Sequence, residues 1–518
     1  MTDATRRRLV LASMSVVSAL IWLPTSAIPI ALPAIRDDLG SSLTELEWMI
    51  NAYTLTVAAL LVLMGRTGDL FGRKRLFITG GVIFSLGALT AASAQNTALL
   101  IAGVAIIGAG AAMAGPASLA LVADAFPPAR QGWAIGVWGA ASGIGSAIGP
   151  LVGGALVDGL DWRAVFWVNV PLVLAALVAA AVACPESRVA GDSERRLDTP
   201  GASTFGAGLT ALVLALVQGG TWGWGSVGVL ALFAAAAVLL VSFVVIDVRV
   251  ATPLIPLREF ASRPFVISVT VLIIGNAVFA TILFALPLYL QNSLHRSAIA
   301  TGLILLPATA TLMLLSPVSG VLTDRFGPRL PMVTGVLVSA LGTFVLSWME
   351  PGSNTAQLVP GLLLIGVGFG LQITPVNVAA VQAVQALRRA TASGVLLTMG
   401  MVGATLGIAA FGAVFGAITR ADLPNELDKV GVAVGDGDVE TLDEVVVGSQ
   451  NSEEVLAEYD PDDAAGIDKA VDRTAVNALS DVLVIEAMLQ LALAGVAACL
   501  PRRSAIVPAA APTGAVSA

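Results

Sequence analysis

Apolar runs of about 20 residues recur along almost the whole chain, and that is the length a helix needs to cross the hydrocarbon of a bilayer. They lie at about 10–32, 48–64, 76–95, 98–121, 134–157, 165–185, 203–219, 227–247, 265–288, 298–320, 331–349, 356–379, 393–418 and 480–500. Many contain Gly and Pro, which helices in lipid tolerate because their neighbours re-satisfy the freed backbone groups. A spanning segment must satisfy its own backbone, so the expected fold class is an all-α polytopic membrane protein of fourteen spans. Twelve spans with a buried middle pair is the competing count. Only 12% of residues are charged, about half the fraction of a soluble domain. Arg6, Arg7 and Arg8 before an apolar run, with Thr25-Ser26-Ala27 beyond it, mimic a secretory signal. The apolar character continues to Leu32 and many spans follow, so a first transmembrane helix is the simpler reading.

The basic residues orient these spans. With a cytoplasmic N-terminus and strict alternation, 20 of the 27 Lys and Arg fall on the cytoplasmic side. Four of the other seven lie in one long outer loop, which counting over short loops leaves out. The bias supports an even number of spans and two cytoplasmic termini. That outer loop, about 420–479, carries sixteen Asp or Glu between Asp422 and Asp472, including Gly435-Asp436-Gly437-Asp438. It reads as a solvated, partly disordered insertion. A cation-attracting vestibule or weak calcium site is the sharper alternative, although the twelve-residue ligand spacing of a calcium hand is missing. Residues 441–458 and 464–479 are candidates for short amphipathic helices over the outer mouth. The net charge of −8 does not suggest a nucleic-acid partner. Cys184 and Cys499 fall near cytoplasmic span ends, which argues against a disulfide or a metal site. No Gly-rich, lysine-ended phosphate loop is present, and no cofactor is implied. The segment after Pro501 is a tail rich in Ala and Pro.

Two internal repeats divide the chain. Gly65-Arg66-Thr67-Gly68-Asp69-Leu70-Phe71-Gly72-Arg73-Lys74-Arg75 follows span 2, and Gly320 to Arg329, with Asp324, Arg325 and Gly327, follows span 10 at an offset of 255 residues. Gly136, Gly145, Gly149-Pro150 and Gly153-Gly154 mark span 5, and Gly394, Gly403 and Gly407 repeat the first three spacings in span 13 at an offset of 258. Spans 1–6 therefore match spans 9–14, with spans 7 and 8 inserted. The expected organisation is a six-helix bundle over 1–185, a linker and inserted spans over 186–264, a second bundle over 265–500, and the tail 501–518. Paired bundles of this kind suit alternating access around a shared midplane site.

The charged loop has a physical reading of its own. Gly65, Gly68 and Gly72 permit a tight turn and close helix approach. Asp69 can cap the helix that follows or pair with an arginine at the membrane surface. Arg73, Lys74 and Arg75 suit the cytoplasmic headgroups. Asp124 and Arg130 flank the loop after span 4 at the same depth. They are expected to join Asp69 and Arg73 in a latch that holds an outward-open state, with a purely structural anchor as the rival reading. Gly145, Gly149, Pro150 and Gly153 are candidates for gating or for sealing the pathway, against ordinary small-residue packing.

At these residues the chain resembles the major facilitator superfamily, and more narrowly the fourteen-span drug:proton antiporter family of bacterial exporters. Gly65 to Arg75 is similar to the superfamily's loop after span 2, with Leu70 where an arginine is usual. Gly136 to Gly153 is similar to the antiporter motif of span 5. Trp48-Met49-Ile50-Asn51-Ala52-Tyr53-Thr54-Leu55, Asp161-Trp162-Arg163 and Phe166-Trp167-Val168-Asn169-Val170-Pro171 resemble the family's approaches to spans 2 and 6. Two departures stand out. Pro24 falls where span 1 usually has an acid, and Val104 and Ile107 replace the polar groups of span 4. Those groups are associated in the family with proton coupling and substrate recognition.

The resemblance implies no enzyme but export of small amphipathic or cationic compounds in exchange for protons, in a bacterial cytoplasmic membrane; a monomer is expected because one chain already holds both bundles. A narrow-specificity exporter, a facilitator without proton antiport and a nontransporting receptor are the alternatives. Glu486 inside span 14, with Asp481 nearer the outer surface, is the candidate for proton exchange, because a carboxyl in hydrocarbon needs a reason. Glu47, Trp48, Asn51 and Tyr53 are candidates for the substrate path, against interfacial anchoring and helix packing. Trp222 and Trp224 read as interfacial, and His295 has little claim to relay protons.

Overall fold

The structure is a computed structural model; it describes residues 2–186, 198–250, 252–292, 294, 296, 298–350, 355–430, 441, 442, 445, 446, 455 and 459–501. The helices are α1 (Asp3–Leu39), α2 (Leu43–Phe71), α3 (Arg73–Ala92), α4 (Thr97–Ala125), α5 (Pro128–Gly159), α6 (Ala164–Trp167), α7 (Asn169–Ala183), α8 (Thr199–Trp222), α9 (Val227–Arg249), α10 (Leu257–Phe260), α11 (Arg263–Asn292), α12 (Ala298–Phe326), α13 (Arg329–Leu346), α14 (Thr355–Gln382), α15 (Arg389–Val430) and α16 (Pro461–Ala498). Among the described residues thirteen helices are long and apolar enough to span a bilayer. α5 makes a fourteenth when its two segments, bent by 43° between Gly149 and Leu151, count as one.

Local chemistry sets many of the ends. The Ser42 hydroxyl accepts from Glu45 N while Glu45 reaches back to Ser42 N, a reciprocal cap that starts α2. Asn96 starts α4 and Ser226 starts α9 in the simpler way. The corners after α2 and α12 need positive φ. Gly72 supplies it at 113° and Gly327, 255 residues on, supplies it at 83°.

Two helix bundles result, and each repeats the same pairings. In the first, α5 packs on α1, and α4 on both α2 and α3. In the second, α15 packs on α11, and α14 on both α12 and α13. The inserted α8 and α9 form a hairpin, and α8 lies on both α2 and α15, over one seam between the bundles. α9 turns most of its surface outward, with Val227, Val238, Val241 and Val248 exposed, as suits a helix whose solvent is lipid.

Small residues decide how closely the helices approach. A Cβ on Gly145 would run into the backbone of Ala19 in α1, and a Cβ on Gly403 into that of Ile273 in α11. The repeated glycines are thus the same contact made twice.

The outer end of the second bundle differs from the expectation. α15 has 42 residues and α16 has 38, well beyond the ~20 that cross a bilayer. Residues 464–479, expected as a separate short helix, are the first turns of α16. Within the acidic loop Leu442, Val445, Val446 and Val455 are buried with Leu423, Leu427, Ile467 and Val471, so part of that segment is anchored by an apolar cluster. The Gly435–Asp438 stretch, residues 187–197 of the linker, His295 and the tail beyond residue 501 lie outside the described residues.

Gly145→Leu and Gly403→Leu should each lower stability by about 1–3 kcal/mol, the usual range for overpacking. Gly139→Leu, where a Cβ meets open space, should change it little. Thermal unfolding of the three variants in detergent checks this, and equal shifts would count against the close-approach account.

Candidate functional site

Asp69 and Arg73 are each 1% exposed, four residues apart across the corner from α2 to α3. Arg73 donates to Asp69 Oδ1 from Nε at 3.0 Å and from Nη2 at 2.7 Å. The remaining capacity of the carboxylate goes to the other bundle. Asp69 Oδ1 accepts from Ala390 N at 3.1 Å, and Oδ2 accepts from Thr391 N at 2.8 Å and the Thr391 hydroxyl at 2.7 Å. The first turn of a helix offers unpaired N–H groups and a partial positive charge, so an anion is favoured there. The sequence allowed Asp69 an arginine partner or a cap on the next helix. The structure gives it the arginine and places its cap on α15, in the opposite bundle. Arg73 extends the link through Asp124 and the Ala386 carbonyl, the latter at 2.6 Å. Arg389 Nη1 closes the group on Asp124 Oδ1 at 2.9 Å. A Cβ on Gly65 would collide with the Ala390 carbonyl, which is why the approach requires glycine there.

The second copy of the loop makes the matching contact. Asp324 Oδ1 accepts from Gly132 N at 2.8 Å, and Oδ2 from Trp133 N at 3.0 Å, near the start of α5. Gly320 and Gly132 meet there backbone to backbone. The acid at the end of each bundle's second helix therefore accepts backbone N–H groups near the start of the other bundle's fifth helix. The chemistry is not duplicated. Pro328 stands at the repeat position of Arg73, and the Asp124–Arg389 pair is mirrored by two amides: Gln382 Nε2 donates to Gln131 Oε1 at 2.9 Å. Sequence reading missed Arg389, Gln131 and Gln382, although the 258-residue offset relates Asp124 to Gln382 and Gln131 to Arg389.

Arg130 does not appear among the described partners of Asp69, Arg73 or Asp124, where it was expected. It lines a crevice at the other seam with Ala129, Trp133, Val321, Asp324 and Arg325. Its loop caps that seam rather than the first.

The glycine stripe of α5 changes partner along its length. Gly136 meets Ser316 and Pro317 of α12, across the seam, while Gly145, Gly149 and Gly153 meet Ala19, Ser26 and Ala27 of α1. The 43° bend lies at Pro150, whose backbone belongs to α5 and whose side chain is outside the described residues.

Between the bundles, deeper than the capped ends, lies a cavity walled mainly by apolar and aromatic groups. Ile21, Trp22, Tyr53, Val57, Leu61 and Trp138 contribute from the first bundle and Leu397 and Met401 from α15. The polar tips of its rings have local partners. Tyr53 Oη donates to the Ile21 carbonyl at 2.5 Å and Trp138 Nε1 to Ser118 Oγ at 3.0 Å. What faces a guest is ring and aliphatic surface with a few hydroxyls, such as Thr25 and Thr54. Among the earlier candidates Tyr53 lines the cavity, Asn51 is buried outside its lining, and Glu47 and Trp48 are exposed at the far end of α2. Trp138 and Met401 were not singled out, although Trp138 lies two residues after Gly136.

Glu486 is not among the cavity residues. It lies beside Thr281 of α11, and its Oε2 is buried without a hydrogen-bond partner, while Asp481 is exposed. Pro24, Val104 and Ile107, where the resemblance puts polar groups, are buried in helix packing.

The family profile of the Major Facilitator Superfamily matches residues 14–408. The multidrug resistance protein Stp of Mycobacterium tuberculosis (strain CDC 1551 / Oshkosh) is 34% identical over 79% of this chain and 76% of its own. The puromycin resistance protein pur8 of Streptomyces alboniger is 36% identical over 78% of this chain and 81% of its own. The tetracenomycin C resistance and export protein of Streptomyces glaucescens is 32% identical over 76% and 73%. Among solved structures, the proton:xylose symporter XylE superposes with a TM-score of 0.60 at 12% identity, covering 97% of each chain. The human organic anion transporter MFSD10 gives 0.57 at 14%, covering 95% of this chain and all of its own. At those identities the likeness is one of fold.

Asp69→Asn keeps the shape of this contact and removes its charge. Breaking a buried pair in this way costs about 3–5 kcal/mol, enough to populate a state with the two bundles apart at this end. Spin labels at Phe71→Cys and Leu387→Cys, both exposed positions, should report one short distance in the parent and a longer population in the variant. Cys499→Ser removes the exposed thiol from the background. Cys184 stays unlabelled at neutral pH because it is buried and burial pushes its thiol up to about 11. An unchanged distance distribution would remove the latch assignment.

Proposed function

Since the chain belongs to the Major Facilitator Superfamily, we propose that it exports amphipathic or cationic drugs and toxic compounds by proton antiport, as a fourteen-span drug:proton antiporter working by alternating access. The observation that carries this reading is the paired contact, Asp69 on α15 and Asp324 on α5, which ties the two bundles at the same end beneath a shared apolar cavity. The basic-residue bias puts that end in the cytoplasm, so the arrangement corresponds to an outward-open state. The reading divides the chain into bundles at 1–185 and 265–500, joined by the 186–264 insertion. It places both termini in the cytoplasm of a bacterial cell and takes the unit to be a monomer, because one chain carries both bundles.

Proton coupling is assigned to Glu486. The Thr281 hydroxyl has one proton to give, and the Ala277 carbonyl receives it at 3.0 Å. A carboxyl beside Thr281 can then bond that hydroxyl only as the O–H donor. Release of that proton would oblige Thr281 to turn toward the carboxylate and free Ala277. This gives α11 and α16 two distinct hydrogen-bonded arrangements.

A second reading is a narrow exporter of one antibiotic or metabolite. Two of the relatives above carry the name of a single antibiotic, which favours it. A third, a facilitator without antiport, is favoured by the apolar packing of Val104 and Ile107.

Purified protein in vesicles with an imposed pH gradient separates these readings. Proton antiport predicts drug-stimulated proton flux that needs the gradient, and Glu486→Gln should abolish that flux while drug binding persists. Flux of a single compound from a broad panel would establish the narrow exporter. Gradient-independent flux, unaltered in Glu486→Gln, would establish the facilitator.

A further inference from the structure

The two seams between the bundles are dressed differently. The α2–α15 seam is overlaid by α8. The α5–α12 seam faces outward, and at its basic end opens the crevice lined by Arg130, Trp133, Val321, Asp324 and Arg325. Two arginines, one from each bundle, therefore line one crevice at the basic end of the helices. Both Asp324 oxygens accept backbone N–H groups of α5. Arg325 also lies over the Phe326 ring, 5.2 Å from its centroid.

Below this mouth an apolar track runs into the membrane. Leu314, Val318 and Val321 fall on the same face of α12 as Arg325, at helical spacing, and are 71%, 47% and 50% exposed. On the facing side, Trp133 and Ile144 of α5 are exposed as well. From Arg325 to Leu314 the track is about 16 Å long, comparable with much of one acyl chain. A cationic mouth at headgroup depth above an apolar groove of that length has the shape and polarity of an amphiphilic anion. An arginine pair suits a phosphate oxygen fork, and Trp133 suits the interface between chain and headgroup.

We infer that this crevice binds the phosphate of an anionic phospholipid, with an acyl chain along Leu314, Val318 and Val321, and that it does so while the bundles are closed at this end. Arg130 belongs to α5 and Arg325 to α12, so one headgroup spans the seam only when both are near. A ligand that favours one of two states shifts the balance toward it. The lipid is thus an external brace on the seam that, among the described residues, α8 does not overlie.

The test uses the full chain in detergent, titrated with phosphatidylglycerol or with phosphatidylcholine of identical acyl chains, and counts bound lipid by native mass spectrometry. The wild type should prefer phosphatidylglycerol by at least roughly tenfold at one site. Arg130→Gln and Arg325→Gln should each cut that preference about fivefold, and the double variant should erase it. Arg7→Gln, which removes an equal charge from another exposed position on this face, should leave it intact. Inorganic phosphate should displace the lipid only weakly. The inference is overturned if the wild type shows no headgroup preference, a result that needs no variant to fold. It is also overturned if Arg7→Gln acts like Arg130→Gln, which would mean diffuse attraction. Phosphate alone binding as tightly as the lipid would overturn it too, because the site would then be one for free anions. None of these readings involves transport, so the inference and the proposed function fail separately.

Discussion

A carboxylate removed from water must be compensated by protein, and Asp69 finds much of its compensation across the molecule. Two N–H groups and a hydroxyl of α15, with the guanidinium of Arg73, replace its hydration shell. A contact of this kind has no halfway position, because a partly withdrawn α15 would leave a charge dry and unpaired. It defines a discrete closed end. Separation of the bundles would let water reach the same groups, so the large terms of the closed state are replaced by other large terms. The difference between two well-solvated states can be small even when each interaction is strong.

The twofold plan of the chain governs the geometry of that end more than its chemistry. Both seams are built from an acid on a helix of one bundle and the exposed amides of a helix in the other. Glycines allow the backbones to touch in each, Gly65 against Ala390 and Gly320 against Gly132. On one seam the acid is joined by Arg73, Asp124 and Arg389. On the other the equivalent contact is the Gln131–Gln382 amide pair. Ionic strength acts on the partly exposed Asp124–Arg389 contact and not on the amide pair, so the seams respond differently to conditions that leave the fold alone.

Much of this was legible in the sequence because lipid imposes a simple rule: a spanning segment must be long, apolar and helical. The offsets of 255 and 258 carried the duplication and the paired loops. Which helix Asp69 would cap was not legible, because an N-terminal turn advertises its free amides to any acid that reaches it and linear order favours the nearest one. Arg130 was misplaced for a related reason. It neighbours Asp124 in sequence, but the turn into α5 carries it to the opposite seam. Hydropathy also ends where apolar residues end, so the polar first turns of α16 were read apart from the span. The Asp460-Pro461 start, with proline at the first helical position, was the available sign. Trp138 and Met401 carry no periodic signal that distinguishes a cavity wall from packing.

The length of α15 has a mechanical consequence. Forty-two helical residues make a rod about 60 Å long, gripped near one end by Asp69 and ending far outside the bilayer at Val430. A tilt of about 10° about the gripped end would sweep the distal tip through roughly 10 Å by lever geometry alone. α16 packs alongside α15 and would travel with it. The outer end of α15, with Asp422, Glu426 and Asp428, would then be a pointer, in which a rearrangement of an ångström or two beside Arg73 becomes a displacement visible from the opposite side of the membrane.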